Sequence, residues 1–152
     1  RRLERGDFSG FSRIQIRYSA AVLGSTVMYY GLVMAVFGLV FSSEYDQAKA
    51  LLPLLLGGAA AHAIYNTLAQ TAFYDRRGGQ ISMITGSALI LHLAGLGALA
   101  LLGDVTLNHV ALVFLASTTM AMLGMLWLSR RIIGELRLPA AEPTCPQESA
   151  PA

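Results

Sequence analysis

Four stretches of this chain contain no Asp, Glu, Lys or Arg: Tyr18–Phe41, Ala50–Tyr74, Ile81–Gly103 and Val105–Ser129. A bilayer core of about 30 Å is crossed by about 20 apolar residues of helix, each rising 1.5 Å. Every one of the four stretches is long enough. A soluble bundle of four buried helices would need charged outer faces, and these segments have none. Composition agrees, with 55% hydrophobic and 13% charged residues against roughly 25% charged for an average globular domain. The chain reads as an all-α membrane protein of four transmembrane helices, with spans at 18–41, 50–74, 81–103 and 107–129.

The basic residues orient the spans. Arg1, Arg2, Arg5, Arg13 and Arg17 precede the first span, Arg76 and Arg77 lie between the second and third, and Arg130, Arg131 and Arg137 follow the fourth. Only Lys49 falls on the opposite side, in a loop that also carries Glu44 and Asp46, and the loop around Asp104 has no basic residue. Cytoplasmic loops retain Lys and Arg, so both termini and the Asp75–Gln80 turn are expected in the cytoplasm. The net charge of +2 is thereby accounted for by topology, and no nucleic-acid partner is implied. The first apolar run is longer than a signal-peptide core and lacks a following small-residue cleavage site. The chain opens on Arg1 rather than Met, and it is read as the C-terminal piece of a longer protein.

Residues 1–17 alternate basic and apolar character and form a cytoplasmic connector. Either Phe8, Phe11, Ile14 and Ile16 rest on the membrane surface while the arginines meet anionic headgroups, or the segment is solvated. Gly6 and Gly10 are expected to interrupt any helix there. Residues 18–138 hold the helical bundle, and the Pro-rich stretch 139–152 reads as a disordered cytoplasmic tail. Tyr29 and Tyr30 fall mid-span and are expected to point into the bundle. Pro53 sits in the first turn or two of its span, where its missing N–H matters least. Gly57, Gly58, Ala59, Ala60 and Ala61 form a small-residue patch suited to close helix contact. The Asp75–Gln80 segment, with two glycines, is a tight hairpin.

The clearest polar pattern is His62, Asn66 and Gln70 at i, i+4 and i+8, which puts them along one helix face. Tyr65 and Thr67 are adjacent, and Tyr74 closes the row. Polar side chains at membrane depth face other helices or a watery cavity. The row is therefore either the wall of a transport pathway, hydrogen-bonding a substrate's hydroxyls or phosphates, or a set of interhelical hydrogen bonds that hold the bundle. His92 reads as a packed, neutral histidine, and Ser117, Thr118 and Thr119 as bonding back to their own helix. Arg76 and Arg77 either set topology or bind an anionic headgroup or pyrophosphate. No Ser/His/Asp grouping, metal-ligand spacing or phosphate-cradling Gly-rich loop is present, and the lone Cys145 has no partner in the chain. Neither catalysis nor a metal or cofactor is expected.

The phrases FSSEYDQAKALLPLLLGG and YNTLAQTAFYDRRGGQISM, and a last span ending in LSRR, carry a resemblance. From Ser42 to Arg131 the chain resembles the C-terminal part of polysaccharide-biosynthesis flippases. These are oligosaccharide-lipid translocases of the multidrug/oligosaccharidyl-lipid/polysaccharide exporter superfamily. RLERGDFSGF is similar to that family's cytoplasmic connector. The resemblance implies that these are the last four helices of a two-lobe transporter with twelve or more helices, in the plasma (inner) membrane. Its partners would be the bilayer, a lipid-linked glycan and the N-terminal lobe of the same chain. The lobes would rock about a central cavity, with His62, Asn66 and Gln70 as this segment's share of the wall. No Asp or Glu lies within any span to carry a coupling ion.

Two rivals stand beside this reading. An autonomous four-helix multidrug exporter needs a carboxylate in its first span, and Tyr18–Phe41 has none. A non-transporting scaffold or assembly protein would use the small-residue faces to bind partner helices. A different cargo, such as a peptidoglycan precursor or a drug, is a variant of the flippase reading.

Overall fold

A lipid-embedded chain has no water to satisfy its backbone, so apolar segments of this length close their hydrogen bonds within themselves as helices. The computed structural model describes residues 8–41, 46–103 and 105–137. The basic residues before position 8, Glu44, Asp104 and the Pro-rich tail with Cys145 lie outside the described residues. Four helices result: α1 (Phe8–Val40), α2 (Asp46–Tyr74), α3 (Gly78–Leu102) and α4 (Leu107–Arg137). Each is long and apolar enough to cross a membrane, with the segments Ser12–Phe37, Ala48–Tyr74, Gly78–Leu102 and Leu107–Glu135 meeting that standard. There is no strand among the described residues.

The helices alternate in direction, and α2 and α4 run parallel as the central pair. α1 lies against α2, and α3 packs mainly on α4 with a slight contact to α2. Arg13, Arg17, Arg76, Arg77, Arg130 and Arg131 thus gather at one end of the bundle, and Lys49 lies at the other. The small residues of α2 allow the central pair to approach closely. A Cβ on Gly58 would run into the Phe114 ring, and one on Gly57 would lie 3.2 Å from Leu115. Ala60 and Ala61 are buried beside them. Nearer the arginine end, Leu68, Ala69, Ala72, Ile81, Met125, Leu128 and Ile132 form the hydrophobic core.

Several local features differ from what the sequence suggests. α1 begins at Phe8 and runs through Gly10, because one glycine costs only about 1 kcal/mol in a helix interior. α2 begins at Asp46, so Pro53 lies inside the helix rather than near its start. There it removes the amide that would have met the carbonyl four residues earlier. Tyr29 is 54% exposed on the outer surface of α1 rather than turned inward. α1 touches only α2 to any extent and leaves most of its circumference uncovered.

The α2–α3 hairpin is tighter than its two glycines imply. Gly78 and Gly79 belong to the first turn of α3, and the reversal is made by Asp75, Arg76 and Arg77. The Arg77 amide donates to the Ala72 carbonyl (2.9 Å) and the Arg76 amide to that of Phe73 (3.1 Å). This is a Schellman cap, whose left-handed position is usually glycine. Here Arg76 occupies it, with φ of 56°. At the other end of α3, Gly103 takes the equivalent position with φ of 71°.

Candidate functional site

The His62–Asn66–Gln70 row emerges on the outer surface of the bundle. Its spacing keeps it on one face of α2. All three side chains are exposed. Thr67 is half-buried and donates back to the Ala63 carbonyl at 3.2 Å. Tyr74, 43% exposed, ends the row at the turn.

His62 also belongs to a second feature. Its ring stacks on Tyr65, with centroids 5.8 Å apart. Together the two rings form one wall of an open groove of about 260 Å³ lined by α2, α3 and α4. Thr85 and His92 of α3 and Ser117 and Thr118 of α4 complete its polar lining; Ala88, Leu89, Phe114 and Ala121 supply the apolar part. The Tyr65 hydroxyl and Thr85 Oγ1 are 2.7 Å apart, and His92 Nδ1 lies 3.1 Å from Ser117 Oγ. Ser117 and Thr118 also bond back to the Phe114 carbonyl, at 3.0 and 2.8 Å. His92 is therefore packed, as its isolation in α3 suggests, but it is packed at the edge of that groove.

A separate polar cluster lies nearer the arginine end and is closed. Thr71 is fully buried; its hydroxyl oxygen receives the Gln15 amide at 2.9 Å and the Ser129 hydroxyl at 3.2 Å. This links α1, α2 and α4. Beside it a larger, mostly apolar cavity of about 480 Å³ runs between the same three helices.

The two arginines of the hairpin part company. Arg77 bonds Asp75 at 2.5 Å and also Glu135 of α4, which is in turn held by Arg131 at 2.8 Å. The hydrogen bond to Glu135, and next the one to Asp75, raise the Arg77 guanidinium above its ordinary value, so it stays charged. Arg76 is exposed. Of the two candidates for an anionic group, Arg76 presents its charge outward and Arg77 spends its own on the α3–α4 end. Among the described residues no three His, Cys, Asp or Glu side chains converge to hold a metal ion.

Thr85, Thr71, Gln15 and Ser129 are the site-forming residues that sequence reasoning passes over. Each is a common polar residue, and their grouping depends on how neighbouring helices register. No family model, curated protein or solved structure matches the chain.

Proposed function

We propose that this chain is the membrane-embedded part of a flippase or exporter that moves lipid-linked oligosaccharide or polysaccharide precursors across the plasma membrane by alternating access. The observation that carries the reading is the exposed row His62, Asn66 and Gln70. Asn66 and Gln70 make no side-chain hydrogen bond among the described residues. Three polar side chains facing acyl chains would be costly, so in a membrane the row needs water, substrate or further protein in front of it. A pathway wall meets that need, with the other lobe of a two-lobe transporter across the cavity. The headgroup of a lipid-linked glycan offers hydroxyls and phosphates to such a wall, while its lipid tail stays in the bilayer. The arginine-rich end is cytoplasmic in this reading, and Arg76 stands at the cytoplasmic mouth.

The test is glycan export by the full transporter with His62, Asn66 and Gln70 each changed to Ala. Export should fall several-fold while membrane abundance is unchanged. Unchanged export with reduced abundance would make the row a packing surface. The scaffold reading would then lead, and partner helices would cover the same face.

A further inference from the structure

The gap between α1 and α4 has the depth and the polarity of one lipid leaflet. The two helices run antiparallel beside α2, and the cavity of about 480 Å³ holds them apart. Its lining recurs on α1 at Ser12, Gln15, Ser19 and Leu23, and on α4 from Met122 to Ile133. Such spacing keeps each set on one helix face. Each set extends over about 16 Å at 1.5 Å per residue, about half of a bilayer core of about 30 Å. The cavity is therefore a furrow that starts among the arginines and ends near the middle of the bundle.

Its chemistry changes along that length. Ser12, Gln15, Ser129 and Arg130 stand at the arginine end, while Leu23, Ile64, Leu68, Met122 and Leu126 make the inner part an apolar trough. Ile16 and Leu23 on its rim are 67% and 52% exposed, so the furrow opens sideways, where lipid stands. Gln15 and Ser129 are already joined through Thr71. Arg77 and Arg131 are tied to Glu135. Arg130, by contrast, is exposed and makes no ion pair among the described residues, and no acidic residue lines the furrow. A cation at the head of an apolar trough is complemented by an anionic amphiphile, and basic pockets between membrane helices take phospholipid headgroups in this way. A chain in the trough also supplies the dispersion contacts that its walls otherwise lack.

We propose that this furrow binds one acidic glycerophospholipid, with its phosphate on Arg130 and one acyl chain laid between α1 and α4 as far as Leu23 and Met122. The second chain stays in the bilayer beyond the open side. The lipid acts as a packing element for α1, which otherwise rests on α2 alone. The site requires only the four-helix membrane fold, and it stands or falls separately from translocation.

The test is native mass spectrometry of the full chain in a non-ionic detergent. Palmitoyl-oleoyl phosphatidylglycerol is compared with the phosphatidylcholine of the same chains, which has no net charge. One equivalent of phosphatidylglycerol should bind more tightly than phosphatidylcholine. R130Q should weaken phosphatidylglycerol about fivefold, the worth of about one basic residue at an anionic surface, and leave phosphatidylcholine unchanged. R76Q removes the same charge from the same end and should alter neither. A20F sets a ring into the trough from an exposed position and should weaken both lipids, its fold being checked by thermal unfolding without lipid. Should A20F unfold, the contrast between R130Q and R76Q decides alone. Equal binding of the two lipids, or equal effects of R130Q and R76Q, would mean ordinary surface attraction and overturn the proposal. So would lipid binding untouched by a folded A20F, or a polyprenyl phosphate that displaces phosphatidylglycerol at equal concentration.

Discussion

Thr71 shows how much one buried hydroxyl can organise. It is fully buried and serves both Gln15 of α1 and Ser129 of α4, so replacing it by the near-isosteric valine would leave two buried polar groups without a partner. Thr71→Val is expected to cost about 1–3 kcal/mol. Because α1 has few other contacts, the loss should appear first as release of α1. A disulfide engineered between α1 and α2 near these positions, formed readily in the parent and poorly in the variant, would check it. Arg76 poses the opposite problem. A left-handed conformation costs a non-glycine residue roughly 1–2 kcal/mol, whereas glycine gives back roughly 0.5–1 kcal/mol as lost chain entropy. Arg76→Gly should therefore raise thermal stability in detergent by about 1 kcal/mol. If it does, the arginine is kept at that position at the expense of the fold, which fits a charge facing headgroups or an anionic ligand. A loss of stability would mean that the side chain itself holds the hairpin.

Among the elements, α2 and α4 decide the architecture. Lipid tails are as apolar as leucine, so helix association in a membrane depends on close packing rather than on the hydrophobic effect. The glycines of α2 are where that packing is tightest. Gly58→Ala would set a methyl group into the Phe114 ring, an overpacking expected to cost about 1–3 kcal/mol. Gly97→Ala meets open space and should be neutral or gain up to about 1 kcal/mol from better helix propensity. Thermal unfolding of the two variants side by side separates contact from propensity. Equal behaviour would mean that α2 and α4 are not in contact at Gly58. The Arg77–Glu135–Arg131 group works at the same scale, tying the hairpin to the end of α4. Being at the surface of the bundle, it fixes geometry more than it adds stability.

At the scale of the molecule, the distribution of exposed polar and apolar surface is the main clue to context. The outer face of α1 is apolar, with Val27 and Met28 about 70% exposed, and suits lipid. The outer face of α2 carries the polar row. A thiol-specific, charged reagent should therefore modify Asn66→Cys and Gln70→Cys in the intact protein and leave Met28→Cys untouched, with Cys145 first changed to Ser. Equal resistance at all three positions would mean that protein or lipid, rather than water, covers the α2 face.

Much of this was legible in the sequence, for a physical reason. The absence of charge over four helix-length stretches requires four apolar helices whatever their neighbours do, since backbone groups in lipid must pair within the segment. The gathering of arginines at one end is likewise a property of residue order, as is the presence of His62, Asn66 and Gln70 on one helix face, because a helix repeats every 3.6 residues. What the row faces was not legible, because periodicity gives a face its identity but not its neighbour. Only the packed structure turned that row outward and carried Tyr29 to the outer surface. Only packing, too, brought His92 and Ser117 together, along with Tyr65 and Thr85, from successive helices. Those pairings depend on how α2, α3 and α4 register. The registers are decided by glycine–ring and side-chain contacts between helices, which no single helix contains.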